Sequence, residues 1–138
     1  MRVVVAGGSG LIGRKLIVEL LQTPHEVIVL SRRPENVYKI FPAVRVEFWD
    51  AKTSNSLENI LDGTDAIINL IGESIAAKRW TSLQKQRILS SRIDATRAIV
   101  DALKQTHHRP SVLLNASAIG YYGNVPEGEV TETYSKGN

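Results

Sequence analysis

The chain has 138 residues, with 17 Lys and Arg against 14 Asp and Glu for a formal net charge of +3, and 43% of it is hydrophobic, enough apolar mass for one domain with a core. Both signs of charge are interspersed, so there is neither a basic arm for nucleic acid nor a solvating tail. Cysteine is absent, which excludes disulfides, thiolate catalysis and Cys-ligated zinc and fits a reducing compartment; no apolar run nears the roughly 18 residues of a membrane span, so a cytoplasmic location without a membrane partner is expected.

Val3, Val4, Val5 and Ala6 form an apolar run that stops at Gly7. Because the run does not alternate, both faces should be covered, as in a central parallel strand. Leu11, Ile12, Leu16, Ile17, Leu20 and Leu21 then recur at helical spacing, with Arg14, Lys15 and Glu19 opposite and Pro24 beyond, predicting a helix over 11–22. Further strands are expected at Val27 to Leu30, Val44 to Trp49 and Ala66 to Ile71. Between Ser82 and Thr106, Leu89, Ile93, Thr96, Val100 and Leu103 share one stripe, and Arg87, Asp94, Arg97, Asp101 and Lys104 lie opposite. This predicts one long amphipathic helix with that stripe as its apolar face and Ser82 as its N-cap. Val112 to Leu114 reads as a fifth strand, and no periodicity continues past Tyr121. Strands alternating with helices predict an α/β fold with a doubly wound parallel sheet, ordered third, second, first, fourth, fifth.

The most specific motif is Gly7-Gly8-Ser9-Gly10-Leu11-Ile12-Gly13, placed where the first strand ends and the first helix opens. Glycines there let the backbone turn tightly and approach a diphosphate, to which the helix N-terminus offers free N–H groups and partial positive charge. The alternative is a glycine-rich turn that only packs the helix. Ser31-Arg32-Arg33-Pro34 follows the second strand, where an acidic residue would bind a ribose 2′-hydroxyl and arginines fit a 2′-phosphate. NADP(H) is therefore favoured over NAD(H), the alternative being two solvated surface arginines.

Several segments together resemble a known family. They are the glycine turn, the Ser31-Arg32 pair, Asn69-Leu70-Ile71-Gly72-Glu73-Ser74-Ile75, Lys78-Arg79-Trp80-Thr81, Ile88-Leu89-Ser90-Ser91-Arg92 and Ser117-Ala118-Ile119-Gly120-Tyr121-Tyr122-Gly123. The chain resembles the extended short-chain dehydrogenase/reductases, and within them the atypical epimerase-family branch, similar to nucleoside-diphosphate-sugar epimerases. The resemblance implies an NAD(P)-binding Rossmann fold. It implies diphosphate contacts at Gly7, Gly10 and Gly13 with backbone help from Ser9, Leu11 and Ile12, and a 2′-phosphate contact at Arg32, beside Ser31 and Arg33. Asp50 and Ala51 match the pair that contacts adenine, and Leu70, Ile71 and Gly72 the segment beneath the nicotinamide ribose. Without the resemblance, Asp50 reads equally well as a loop-capping carboxylate.

Catalytic residues are less well marked. The wider superfamily uses a Tyr-x-x-x-Lys pair for proton transfer, but Tyr121, Tyr122 and Tyr134 are followed at the fourth position by Val125, Pro126 and Asn138. The slot for the usual catalytic serine holds Ala118, with Ser117 one position earlier, and Arg92 stands where extended members carry asparagine. Ser117, Tyr121 and Arg92 remain the candidate polar groups near the nicotinamide, with Ser117 and Tyr121 the candidate catalytic pair. Lys78, Arg79, Lys85 and Arg87 read as a solvated helix entry without the aromatic platform of a nucleic-acid module. His107 and His108 lack metal-ligand spacing, and no metal is assigned.

The resemblance further implies that residues 1–138 are the N-terminal part of the domain, with C-terminal strands and a substrate lobe lying outside them. The fifth strand would then be an apolar sheet edge favouring a homo-oligomer. The expected function is NADP(H)-dependent oxidoreductase or epimerase chemistry on a small-molecule carbonyl or sugar-nucleotide substrate. The alternative is a non-catalytic NADP(H) sensor.

Overall fold

Residues 1–76 and 78–137 are described by the structure, a computed structural model of the chain. Five strands, β1 (Arg2–Ala6), β2 (Glu26–Ser31), β3 (Arg45–Phe48), β4 (Ala66–Asn69) and β5 (Val112–Asn115), form one sheet in the order β3-β2-β1-β4-β5. Every neighbouring pair is parallel, as the alternation with α1 (Leu11–Leu21), α2 (Pro34–Tyr38), α3 (Leu57–Leu61) and α4 (Ser82–Leu103) requires. The doubly wound expectation and its strand order both hold.

Period-two geometry explains why β1 reads as uniformly apolar. Val3 and Val5 face one side, packing with Ile17 of α1 and with Val29, Val37 and Val46. Val4 and Ala6 face the other, packing with Leu57 and Leu61 of α3 and Ala95, Ile99 and Ala102 of α4. The two apolar layers cover both faces of the sheet from β3 to β4 and leave the C-terminal ends of those strands as its open rim.

Four expectations need correcting. The buried line of α4 is Gln84, Ala95, Ala98, Ile99 and Ala102, while Leu89 is 61% and Ile93 43% exposed. The helix is rotated by about one residue from the stripe of large side chains, because alanines let its backbone approach the sheet closely. Its N-cap is Thr81, whose extended backbone aims Oγ1 to accept the Gln84 N–H at 3.2 Å, and not Ser82, the first helical residue. The helix also ends at Leu103 and not Thr106, whose hydroxyl donates to the Leu103 carbonyl at 2.9 Å. β4 similarly stops at Asn69, whose Oδ1 accepts the Ile71 N–H at 3.2 Å.

At the other flank, β5 is the last strand among the described residues and Val112, Leu113 and Leu114 are exposed along it. Among those residues no helix is long and apolar enough to cross a membrane.

Candidate functional site

The turn from β1 into α1 is shaped by contacts that only glycine permits. Gly7 has φ +86°, and a Cβ on it would lie 2.9 Å from the Leu70 carbonyl carbon. Gly13 packs on the turn itself, where a Cβ would lie 2.6 Å from the Gly7 carbonyl oxygen. A Cβ on Gly10 would meet only that same oxygen, at 3.3 Å. Gly10 is the N-cap of α1 and supplies no side-chain cap, so the N–H groups of the first turn, at Leu11, Ile12 and Gly13, lack intrahelical acceptors. Arg14 braces the turn, its Nε donating to the Ser9 carbonyl at 2.8 Å.

This turn opens onto a cavity of about 760 Å³ at the rim of the sheet. Gly7, Ser9 and Gly10 line it from β1, and Ser31, Arg32 and Arg33 from β2. Asp50 and Ala51 line it from β3, and Leu70, Ile71 and Gly72 from β4. Ser31 Oγ accepts the Arg33 N–H at 3.1 Å, and neither arginine has an ion-pair partner among the described residues.

Asp50 Oδ1 accepts from Lys52 N–H at 2.8 Å, Thr53 N–H at 2.9 Å and the Thr53 hydroxyl at 3.1 Å, closing a loop in which Ala51 takes φ +64°. Desolvation pushes this carboxyl upward, but the bonds from Thr53 and Lys52 and the lysine charge outweigh it, holding Asp50 below the ordinary carboxylate range. The loop-capping role is therefore present, and the carboxylate lines the cavity as well.

Four of the expected cofactor-contacting residues do not line the cavity. Leu11 and Ile12 are exposed beside it, and Gly13 is buried in the turn. Arg92 lies behind the wall, its Nη1 donating to the carbonyls of Glu73 at 3.2 Å and Ile88 at 2.9 Å. The proposed catalytic pair is also apart from it: Ser117 and Tyr121 are exposed and outside the lining, and the Tyr121 ring packs edge-on against Tyr122 with centroids 5.2 Å apart. Sequence reasoning missed the opposite wall, where Arg87, Ser90, Ser91 and Asp94 of α4 join Glu73. Their spacing along α4 was the available signal, a polar stripe over two helical turns. Among the described residues no group of three or more His, Asp or Glu is placed to hold a metal ion.

A parallel sheet with a glycine turn at its open rim defines a Rossmann-type, nucleotide-binding class of protein. The chain belongs to the NAD dependent epimerase/dehydratase family, whose model matches residues 3–138. It is 38% identical over 133 residues to Epimerase family protein YfhF of Bacillus subtilis, covering 96% of this chain and 42% of that one. It is 34% identical over 139 residues to Epimerase family protein SDR39U1 homolog, chloroplastic, of Arabidopsis thaliana, covering 99% of this chain and 40% of that protein. Among solved structures, human epimerase family protein SDR39U1 with NADPH superposes with a TM-score of 0.80 at 27% identity, covering 99% of this chain and 43% of the human one. The chain thus spans about 40% of the length of the curated relatives it matches.

Proposed function

We propose that the cavity binds NADP(H), with Gly7, Ser9, Gly10 and the free N–H groups of Leu11, Ile12 and Gly13 holding the diphosphate. Arg32, flanked by Ser31 and Arg33, receives the 2′-phosphate; Asp50 and Ala51 meet the adenine, and Leu70, Ile71 and Gly72 support the nicotinamide ribose. The carrying observation is that Gly10, bare of any side-chain cap at a helix N-terminus, and two arginines without an ion-pair partner among the described residues line one cavity. A glycine whose added Cβ meets a single atom leaves space for a ligand to approach its backbone, so the residues present fit the group. Support for NADP over NAD comes from the arginines at the end of β2 and from the NADPH in the human relative's structure.

When bound, such a cofactor supplies a hydride donor or acceptor. The substrate proposed for the whole protein is a small carbonyl compound or a sugar nucleotide, as the family's epimerases and dehydratases suggest. The proposal for substrate concerns the whole protein, because this chain spans about 40% of the length of the curated relatives it matches. A second reading, an NADP(H) sensor without turnover, is favoured by one observation: Ser117 and Tyr121 stand outside the cavity.

Fluorescence titration with NADPH tests the binding step. Saturable binding by the chain and its loss in Gly10→Val are expected. An unchanged affinity in Gly10→Val would refute the diphosphate assignment.

A further inference from the structure

Glu73 follows the cavity floor and is tied to α4 through three of its polar atoms. Its N–H donates to Ser91 Oγ at 2.9 Å, its carbonyl accepts from Arg92 Nη1 at 3.2 Å, and its Oε1 accepts from Gln84 Nε2 at 3.4 Å. Each partner is itself held. Ser91 Oγ donates to the Ile88 carbonyl at 3.0 Å, and the Arg92 guanidinium crosses Gly72 so closely that a Cβ there would lie 2.8 Å from Cζ. Gln84, whose N–H caps onto Thr81, is only 3% exposed.

The two backbone bonds would hold any residue at this position, and of the two carboxylate oxygens only Oε1 has a task in the wall, accepting from the buried Gln84. The carboxylate lines the cavity, half-buried, with no partner for Oε2 among the described residues. Its chemistry calls for a donor from the ligand. A cationic ligand is disfavoured, because the four basic side chains of Arg32, Arg33, Lys52 and Arg87 outnumber the three carboxylates of Asp50, Asp94 and Glu73 itself around the same space. What remains is a neutral donor carried on an anionic molecule, and adjacent sugar hydroxyls can address both carboxylate oxygens at once.

Resting on the nucleotide-binding reading above, we infer that Glu73 receives a vicinal hydroxyl pair of the bound ligand. That pair belongs either to the second ribose of a dinucleotide or to the sugar of a sugar nucleotide. Calorimetric titration of the chain with NADPH, adenosine 2′,5′-bisphosphate and UDP-glucose separates these sources. Adenosine 2′,5′-bisphosphate keeps the base and the 2′-phosphate but has no free vicinal pair.

Glu73→Ala is expected to weaken NADPH roughly tenfold or more if the ribose is the source, or UDP-glucose by that factor if the sugar is, since bonds to charged acceptors are worth that much. Adenosine bisphosphate should change less than about twofold, and Glu73→Gln, which keeps one acceptor, should fall between. Equal losses for all three ligands would mean that Glu73 only shapes the wall, and unchanged or tighter binding that its charge is incidental; either overturns the inference. If the unmodified chain binds none of them, the nucleotide reading itself fails and takes this one with it. If NADPH binds and the variants match the unmodified chain, only this one fails.

Discussion

Gly13→Ala and Gly10→Ala are the same chemical change three residues apart, and the structure assigns them opposite consequences. At Gly13 the new methyl carbon would lie 2.6 Å from the Gly7 carbonyl oxygen, 2.7 Å from Gly8 Cα and 2.9 Å from the Gly8 carbonyl carbon, about 1 Å inside the favourable contact distance. All three atoms are backbone and cannot rotate away, so α1 must lift off the turn. Overpacking of this kind costs up to about 3 kcal/mol, and the better helix propensity of alanine returns at most about 1 kcal/mol, leaving roughly 2 kcal/mol. For a chain of this size that is about 6–8 °C in Tm. At Gly10 the backbone is extended, at φ −72° and ψ 172°, and the nearest atom is 3.3 Å away, so alanine should cost under about 1 kcal/mol. Urea unfolding reads both, followed by the fluorescence of Trp49, which is 4% exposed. A Gly13→Ala midpoint equal to that of the unmodified chain, or a Gly10→Ala midpoint displaced as far as the Gly13→Ala one, would refute the packing argument.

Arg32→Ala should weaken NADPH by about 1.5–3 kcal/mol and leave NADH nearly unchanged in the same titration; equal losses would mean that Arg32 only shapes the loop. Asp62 accepts the His108 N–H at 2.6 Å, and chiefly that bond, against some desolvation and with help from the charges of His108 and His107, holds its carboxyl below the ordinary range. A lowered folded value means stability that is full above about pH 4 and lost as the pH falls further. The urea midpoint of Asp62→Asn should therefore lie below that of the unmodified chain at pH 7 and converge on it in acid, and a constant gap would rule this out. On α4, Ala98→Leu should cost about 1–3 kcal/mol because Ala98 is buried against the sheet. Ile93→Gln, on the outer face, should stay within about 0.5 kcal/mol. The reverse ranking in thermal melts would restore the stripe read from hydropathy.

The sheet was legible because its determinants are local. A β-branched run cut off by Gly7 reads as a covered strand feeding a turn, and five apolar runs alternating with helical segments fit right-handed crossovers and the order β3-β2-β1-β4-β5. α4 was legible as a helix but not in its rotation. Ala95, Ala98 and Ala102 carry little hydropathy, yet they are the side chains small enough to let the helix axis settle onto Val4, Ala6 and Ile67, while Leu89 and Ile93 draw the eye to a face that stays outside. Choosing between Thr81 and Ser82 as the cap likewise needs φ and ψ, because both carry a hydroxyl.

The cavity divides along the same line. Gly7, Ser9, Gly10, Ser31, Arg32, Asp50 and Ala51 stand within a few residues of the end of a strand, and the strand alone carries them to the rim. Glu73 follows the end of β4 by four residues, as Gly10 follows β1, but its setting against α4 comes from packing between segments far apart in the chain: the alanine face sets the height of the helix above the sheet, and that height lets Ser91, Arg92 and Gln84 reach Glu73. The basic, glycine-rich side of the cavity is thus written in short motifs, and the side where Glu73 meets α4 is a product of tertiary structure. That is why the short motifs single out Gly10 and Arg32 but give no sign of the partners that Glu73 finds on α4, even though all three residues line the same 760 Å³.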